Sequence, residues 1–218
     1  MIEEKNILSL DTAFGEISAS LIRDGEPFLT RVESTTSGKT RSTAIVPILD
    51  GLLTQADLKW NELDLLALGA GPGAFTGLRI AAATLAGINS GLGLPILHLS
   101  SLAITARQAV TSQPLWVIED ARAGEAFVGC YEAGESIRGD RCISWQKVSD
   151  LQAGLFASHN EPASEMQGWQ RLPLLIERSA ALLAETEHIL TESTISKLPV
   201  YPEPVYLQRS QAEKNIHG

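Results

Sequence analysis

Apolar and polar residues alternate in three short runs at the start of the chain, 6–13, 16–25 and 27–34, and each run predicts a strand. Gly15 marks the first turn between them; Asp24-Gly25 marks the second and is a hairpin signal. The period then changes. Ile45, Ile48, Leu49 and Leu52 recur at i, i+3, i+4 and i+7, which predicts a helix that begins near Pro47 or is kinked there. The apolar run LDLLALGA predicts a buried strand ending near Gly69, followed by an Ala-rich helix over Thr76–Leu92. A strand at 95–100 and a helix over SLAITARQAV complete the order βββαβαβα, which points to an α/β domain.

The opening pattern recurs in the second half. LSLDTAFGEISASLI and WVIEDARAGEAFVGCY each hold a strand delivering an aspartate, three residues, Gly-Glu and a second strand. Asp11 stands before Gly15-Glu16 as Asp120 stands before Gly124-Glu125. A duplicated hairpin predicts two related domains, 1–110 and a shorter 111–218, whose C-terminal tail packs back on the first. Residues 171–190 have helical periodicity, 197–208 hold three prolines and should be extended, and 209–218 are polar with no predicted element.

Composition narrows the function classes. The net charge of −9 offers no basic face, so the lone chain is expected to bind neither tRNA nor duplex nucleic acid appreciably. Cys130 and Cys142 form no metal-like or redox-like pair, which suggests a reduced, cytoplasmic protein. No apolar run is long enough to span a membrane, and the N-terminus lacks the apolar core of a signal peptide. The four histidines are scattered: His98 lies in an apolar strand as a core residue, while His159, His188 and His217 look like surface residues. Without an H-x-x-x-H or H-E-x-x-H pair, no metal is expected.

The glycine-rich stretch GAGPGAFTGLR raises the question of a phosphate site. Walker A fails, because Leu78-Arg79 follow Gly77 where Lys-Ser or Lys-Thr is required. A dinucleotide fingerprint can be laid on Gly69, Gly71 and Ala74, but no acidic residue lies between Asp64 and Glu119 to hold a ribose. Packing is the preferred reading: Gly71 and Gly73 permit tight backbone geometry, Pro72 stiffens the turn and Thr76 caps the helix. The remaining candidates for a nucleotide cleft, read as vestigial, are Asp11, Thr12, Gly71, Gly73 and Asp120. Each aspartate could instead cap its own turn. Both helices of the first half have apolar or small residues to spare, so Ile45, Ile48, Leu49, Leu52, Thr76, Arg79, Ala82, Ala83 and Ala86 are expected to form a contact with another molecule.

The segments ILSLDTA, GAGPGAFTGLRI, EDARAGEAF and EPVYLQ occur in the order found in the TsaB (YeaZ) family of bacterial tRNA threonylcarbamoyladenosine biosynthesis proteins, which this chain resembles over 6–208. The resemblance implies an actin-like ATPase (ASKHA) fold of two ribonuclease-H-like lobes, the second reduced. It implies a non-catalytic subunit, with no cofactor of its own, that binds the catalytic paralogue TsaD through the two helices. With the ATPase TsaE, that pair transfers threonylcarbamoyl to adenosine 37 of ANN-decoding tRNAs. The same surface would form a homodimer when TsaD is absent, and tRNA would be reached only through the complex. One departure is Lys39-Thr40-Arg41-Ser42, where family members often carry a histidine. The competing readings are an autonomous ATP-dependent phosphotransferase using Asp11, Thr12 and Asp120, and, less favoured, a metallopeptidase of the glycoprotease type.

Overall fold

A computed structural model describes residues 4–34, 41–192 and 195–208. Lys39 and Thr40, half of the departure before the first helix, lie outside these residues, as does the polar end with His217. The first sheet contains β1 (Ile7–Asp11), β2 (Glu16–Arg23), β3 (Glu26–Ser34), β4 (Leu65–Gly71) and β5 (Ile96–Ser100), in the order β3-β2-β1-β4-β5. β2 is antiparallel to β1 and β3, whereas β4 is parallel to β1 and to β5. The second sheet contains β6 (Leu115–Arg122), β7 (Glu125–Glu132), β8 (Glu135–Ser144), β9 (Leu155–Ala157) and β10 (Gln170–Arg171), in the order β10-β9-β6-β7-β8. Its pairing directions repeat those of the first. Two sheets with one topology make two ribonuclease-H-like lobes, which together are the actin-like ATPase fold.

The second lobe is reduced where the first carries its helices. Between β3 and β4 runs α1 (Arg41–Gln55), and between β4 and β5 runs α2 (Phe75–Asn89). The matching connections of the second lobe hold α4 (Trp145–Val148) and, among the described residues, no helix between β9 and β10. Helix α3 (Ser101–Gln108) joins the lobes and is buried along nearly its whole length.

Strand alternation sorts the core into layers. Leu8 and Leu10 face α1 and α2, where Ile45, Ile48, Leu49 and Leu52 meet Ala81 and Leu85. Ile7 faces the other way, toward Leu182 of α5 (Arg178–Glu192). Ser9, on that same face, meets Thr186 of α5 at 3.0 Å, so even the polar position of the strand has a partner. Helix α5 therefore belongs to the first sheet although it follows the second in sequence. The chain then runs on over that sheet: Ile96 N donates to Pro199 O at 2.7 Å and Val205 N donates to Ala70 O at 2.7 Å.

Three local expectations need correction. Pro47 lies inside α1, six residues past its start, which excludes a start at Pro47 and leaves the other expectation, a kink. Pro47 and Thr43 are both solvent-exposed, so the hydrogen bond that proline cannot donate is missing at the surface and not in the core. The residue before α2 is Ala74, with no side-chain cap, and Thr76 sits within the first turn. The same helix ends at Asn89, whose side chain accepts from Leu94 N and donates to Leu94 O and Val200 O, each at 2.8 Å. No described helix is long and apolar enough to cross a membrane.

Candidate functional site

The duplicated turns face each other across a cavity of about 750 Å³ between the lobes. One wall holds Ala13, Phe14, Gly73 and Thr76, the other Asp120, Arg122 and Phe127. Val205, Tyr206, Leu207 and Gln208 from the C-terminal segment also line it. In each turn the aspartate accepts from the backbone N–H two residues on, Ala13 at 3.5 Å and Arg122 at 3.1 Å. Both are thus Asx-type turns, which accounts for the recurrence of aspartate at these two positions.

Beyond that the two carboxylates differ. Asp11 is completely buried and accepts from Arg178 Nε at 2.7 Å and from Ser101 Oγ at 2.7 Å. Arg178 is buried as well, and its remaining donors go to Thr105 Oγ1 at 2.8 Å, Gln108 Oε1 at 3.2 Å and Ser101 O at 3.0 Å. Its guanidinium carbon stands 5.0 Å from the Phe14 ring centroid. A metal-bound phosphate would need Asp11 free and open to the cavity; instead it is sealed under an arginine from α5. Thr12 is buried too and donates to Gly77 O at 2.8 Å. Asp120, by contrast, is 25% exposed and has Arg122 at 3.8 Å.

The glycine-rich loop is closed from within. Gly71 adopts φ +112°, and a Cβ there would lie 2.9 Å from the Val205 carbonyl oxygen. A Cβ on Gly73 would lie 2.5 Å from that of Ala13. Two loop amides already have acceptors: Gly71 N donates to Ser101 Oγ at 3.2 Å and Ala74 N to Ala13 O at 2.8 Å. Glycine here permits close approach of the chain's own backbone and side chains.

Sequence reasoning missed the polar network beside this site. His159, expected on the surface, is mostly buried: it stacks on Phe14 with centroids 5.2 Å apart. Its Nδ1 lies 2.6 Å from Glu119 Oε1 and its Nε2 lies 3.0 Å from Gln108 Oε1. Gln108 thereby joins Arg178 to His159 and ties the first lobe to the second. A second tie joins Ser100 Oγ to Asp140 Oδ2 at 2.5 Å, with Tyr131 donating to the other oxygen. Burial raises the Asp140 pKa above the usual carboxylate range, although both hydroxyls oppose it. Tyr131 is pushed far upward by burial and by Asp140. His98 does have a partner, accepting from Glu203 N at 2.8 Å, and burial lowers its pKa against the opposing pull of Glu203. Arg178 had no sequence signal; a run such as LLIERSAALL does not say which charge turns inward. Among the described residues, no three His, Cys, Asp or Glu side chains are placed to hold a metal ion.

The expected contact surface divides in two. Ile45, Ile48, Leu49, Leu52 and Ala82 are buried in the first lobe's own core and have no surface to give a partner, which corrects that half of the expectation. Their spacing marks the inward face of α1 and α2. Thr76, Arg79, Ala83 and Ala86 are exposed, on the outward face of α2.

Fold and site together define a two-lobed protein with an open cavity between its lobes, in which Asp11 of the first turn is sealed by Arg178 and Ser101. The chain belongs to the TsaD family, described as tRNA N6-adenosine threonylcarbamoyltransferase, whose model matches residues 35–173. Within it the resemblance to TsaB and YeaZ holds along the whole chain. The chain is 27% identical to the tRNA threonylcarbamoyladenosine biosynthesis protein TsaB of Haemophilus influenzae, over 100% of this chain and 99% of that one. It is 27% identical to the Escherichia coli protein of the same name, over 97% and 98%. YeaZ from Pseudomonas aeruginosa is a structural neighbour at TM-score 0.72 and 25% identity, covering 93% of this chain and all of that one.

Proposed function

We propose that this chain takes part in threonylcarbamoyladenosine formation on tRNA as a non-catalytic subunit that supports a TsaD-family transferase. The relatives support the pathway, and one observation carries the non-catalytic role: Asp11 is held by Arg178 and Ser101, away from any substrate. A carboxylate paired in that way neither holds a metal-bound phosphate nor accepts a proton from a nucleophile. The chain works through a protein surface that includes the outward face of α2. The transferase docks there, TsaE joins through that pair, and a second copy of this chain takes the face when the transferase is absent. tRNA is reached through the complex, in the cytoplasm, and ATP is used by the other subunits.

Reconstitution tests this reading. Threonylcarbamoyladenosine should form with the cognate transferase and TsaE when this chain is present, and fall to background without it. The 750 Å³ cavity and half-open Asp120 favour one alternative, an ATPase acting by itself. Micromolar ATP binding with turnover by the isolated chain would establish that alternative in place of the scaffold.

A further inference from the structure

At the mouth of the cavity two side chains of α2 and one from the C-terminal segment form one exposed stack. Phe75 opens α2, Arg79 lies one turn later, and Tyr206 comes from the C-terminal segment. The Phe75 and Tyr206 rings are 5.1 Å apart at 48°, and the Arg79 guanidinium carbon stands 3.9 Å from the Phe75 centroid and 6.0 Å from that of Tyr206. Phe75 is 40% and Tyr206 45% exposed, with Val205 beside them at 44%. Large aromatic rings left this open beside a cavity are unusual for a surface that meets only water.

The stack is held in place before any partner arrives. The segment that carries Tyr206 is fastened on both sides, by Val205 N to Ala70 O at 2.7 Å and by Gln208 Nε2 to Glu125 Oε2 at 2.6 Å. Arg79 is the single ionised residue of α2, and among the described residues no carboxylate pairs with it. A guanidinium whose carbon stands 3.9 Å over a ring centroid gains from the ring while its N–H donors stay available to a carboxylate. Arginine and tyrosine in a preorganised cluster are also the residue types that dominate binding energy at protein interfaces.

We propose that Phe75, Arg79 and Tyr206 are the energetic centre of the protein-docking surface. They receive a partner segment that sets a carboxylate against Arg79 and an apolar side chain against Phe75, Tyr206 and Val205. The inference rests on the scaffold reading above and names the chemistry of the partner's contact. A nucleic acid could also stack on these rings, but the net charge of −9 and the otherwise uncharged α2 disfavour a polyanion.

The test is binding of the cognate TsaD-family transferase to the full chain by calorimetry, with each variant first shown to unfold at the parent's temperature. Arg79→Glu and Tyr206→Ala should each weaken binding by roughly thirtyfold or more. Tyr206→Phe, which keeps the ring, should stay within about threefold, a difference of under 1 kcal/mol. If folded Arg79→Glu and Tyr206→Ala both bind within about threefold of the parent while Ala83→Glu abolishes binding, this inference is wrong and the α2 surface stands. If the parent chain does not bind the transferase, the scaffold reading fails and this inference with it. Binding of a short single-stranded RNA that Tyr206→Ala abolishes, with transferase binding intact, would assign the stack to nucleic acid instead.

Discussion

The two hairpin turns began as the same device and now serve different ends. Each places an aspartate at a strand end and turns it onto a backbone N–H two residues ahead. In the first lobe α5 returns from the far end of the chain and lays Arg178 on Asp11; in the second, among the described residues, Asp120 has only a long hydrogen bond from Trp145 Nε1 at 3.4 Å besides its own turn, and stays partly open beside Arg122. The difference lies in what packs over the turn, because the hairpins share their spacing and their hydrogen bond. A buried ion pair in which each guanidinium nitrogen has an acceptor holds the first turn rigid, whereas an exposed pair holds little.

The largest effect should come from breaking the buried pair on one side. Arg178→Ala leaves a carboxylate, and Asp11→Ala a guanidinium, without its partner out of water, so each should cost about 3–5 kcal/mol in urea unfolding. The double variant should cost clearly less than the sum; strict additivity would mean that the two groups do not act as a pair.

Gly69→Ala should come next. A Cβ there would fall 1.9 Å from Asp11 Oδ1 and 2.6 Å from Asp11 Cβ, and Asp11 cannot swing aside while Arg178 and Ser101 hold it. A loss of about 1–3 kcal/mol is expected, as for other overpacked sites. A neutral result would show the turn to be more yielding than its contacts imply.

Asp120→Ala probes the open counterpart. With one weak exposed pair, one turn hydrogen bond and a long hydrogen bond from Trp145 Nε1 at 3.4 Å to lose, stability should fall by about 1 kcal/mol or less. Threonylcarbamoyladenosine formation by the reconstituted complex should change by less than about tenfold, or 1.4 kcal/mol of barrier. A larger loss of rate in a folded variant would give Asp120 a chemical role and undo the comparison.

Asp140 sharpens the contrast further, being a junction carboxylate held by the hydroxyls of Ser100 and Tyr131 with, among the described residues, no cation paired to it. Burial raises its pKa from the ordinary 3.8, so its proton is bound more tightly in the folded state. That contribution to stability is fully present below the unfolded value and is lost as pH rises through the folded one. Asp140→Asn, which keeps an uncharged polar group there, should therefore gain on the parent as pH climbs above 3.8. Urea unfolding at a series of pH values reads this directly, and a gap that narrows with rising pH would contradict it.

Much of the architecture was legible along the chain. The D-x-x-x-G-E repeat announced two hairpins, and the doubled sheet topology bears this out. Strand periods and the Gly-rich turn located β1 to β4 closely because alternation and turn residues are local properties. The Ile45–Leu52 stripe was legible as a face, but its direction was not. Helical spacing shows that residues share a side and does not say whether a sheet or another molecule covers it; here the covering layer is the chain's own first sheet.

What the sequence determined alone is therefore the elements of the first half, the duplicated hairpin of the second and the helix near its end, with turn capping by Asp11 and Asp120 left as one of two readings. Each of these depends on residues a few positions apart. The tertiary structure decided everything that depends on residues far apart. Helix α5 crosses back to the first sheet, bringing Arg178 to Asp11 across 167 positions of chain. Tyr206 reaches Phe75 in the same way, through a C-terminal segment anchored on Ala70. A charge can be left in a core only where another fold element delivers its counter-charge and remaining hydrogen bonds. That delivery is a matter of topology, which is why the same aspartate in the same turn is sealed in one lobe and open in the other.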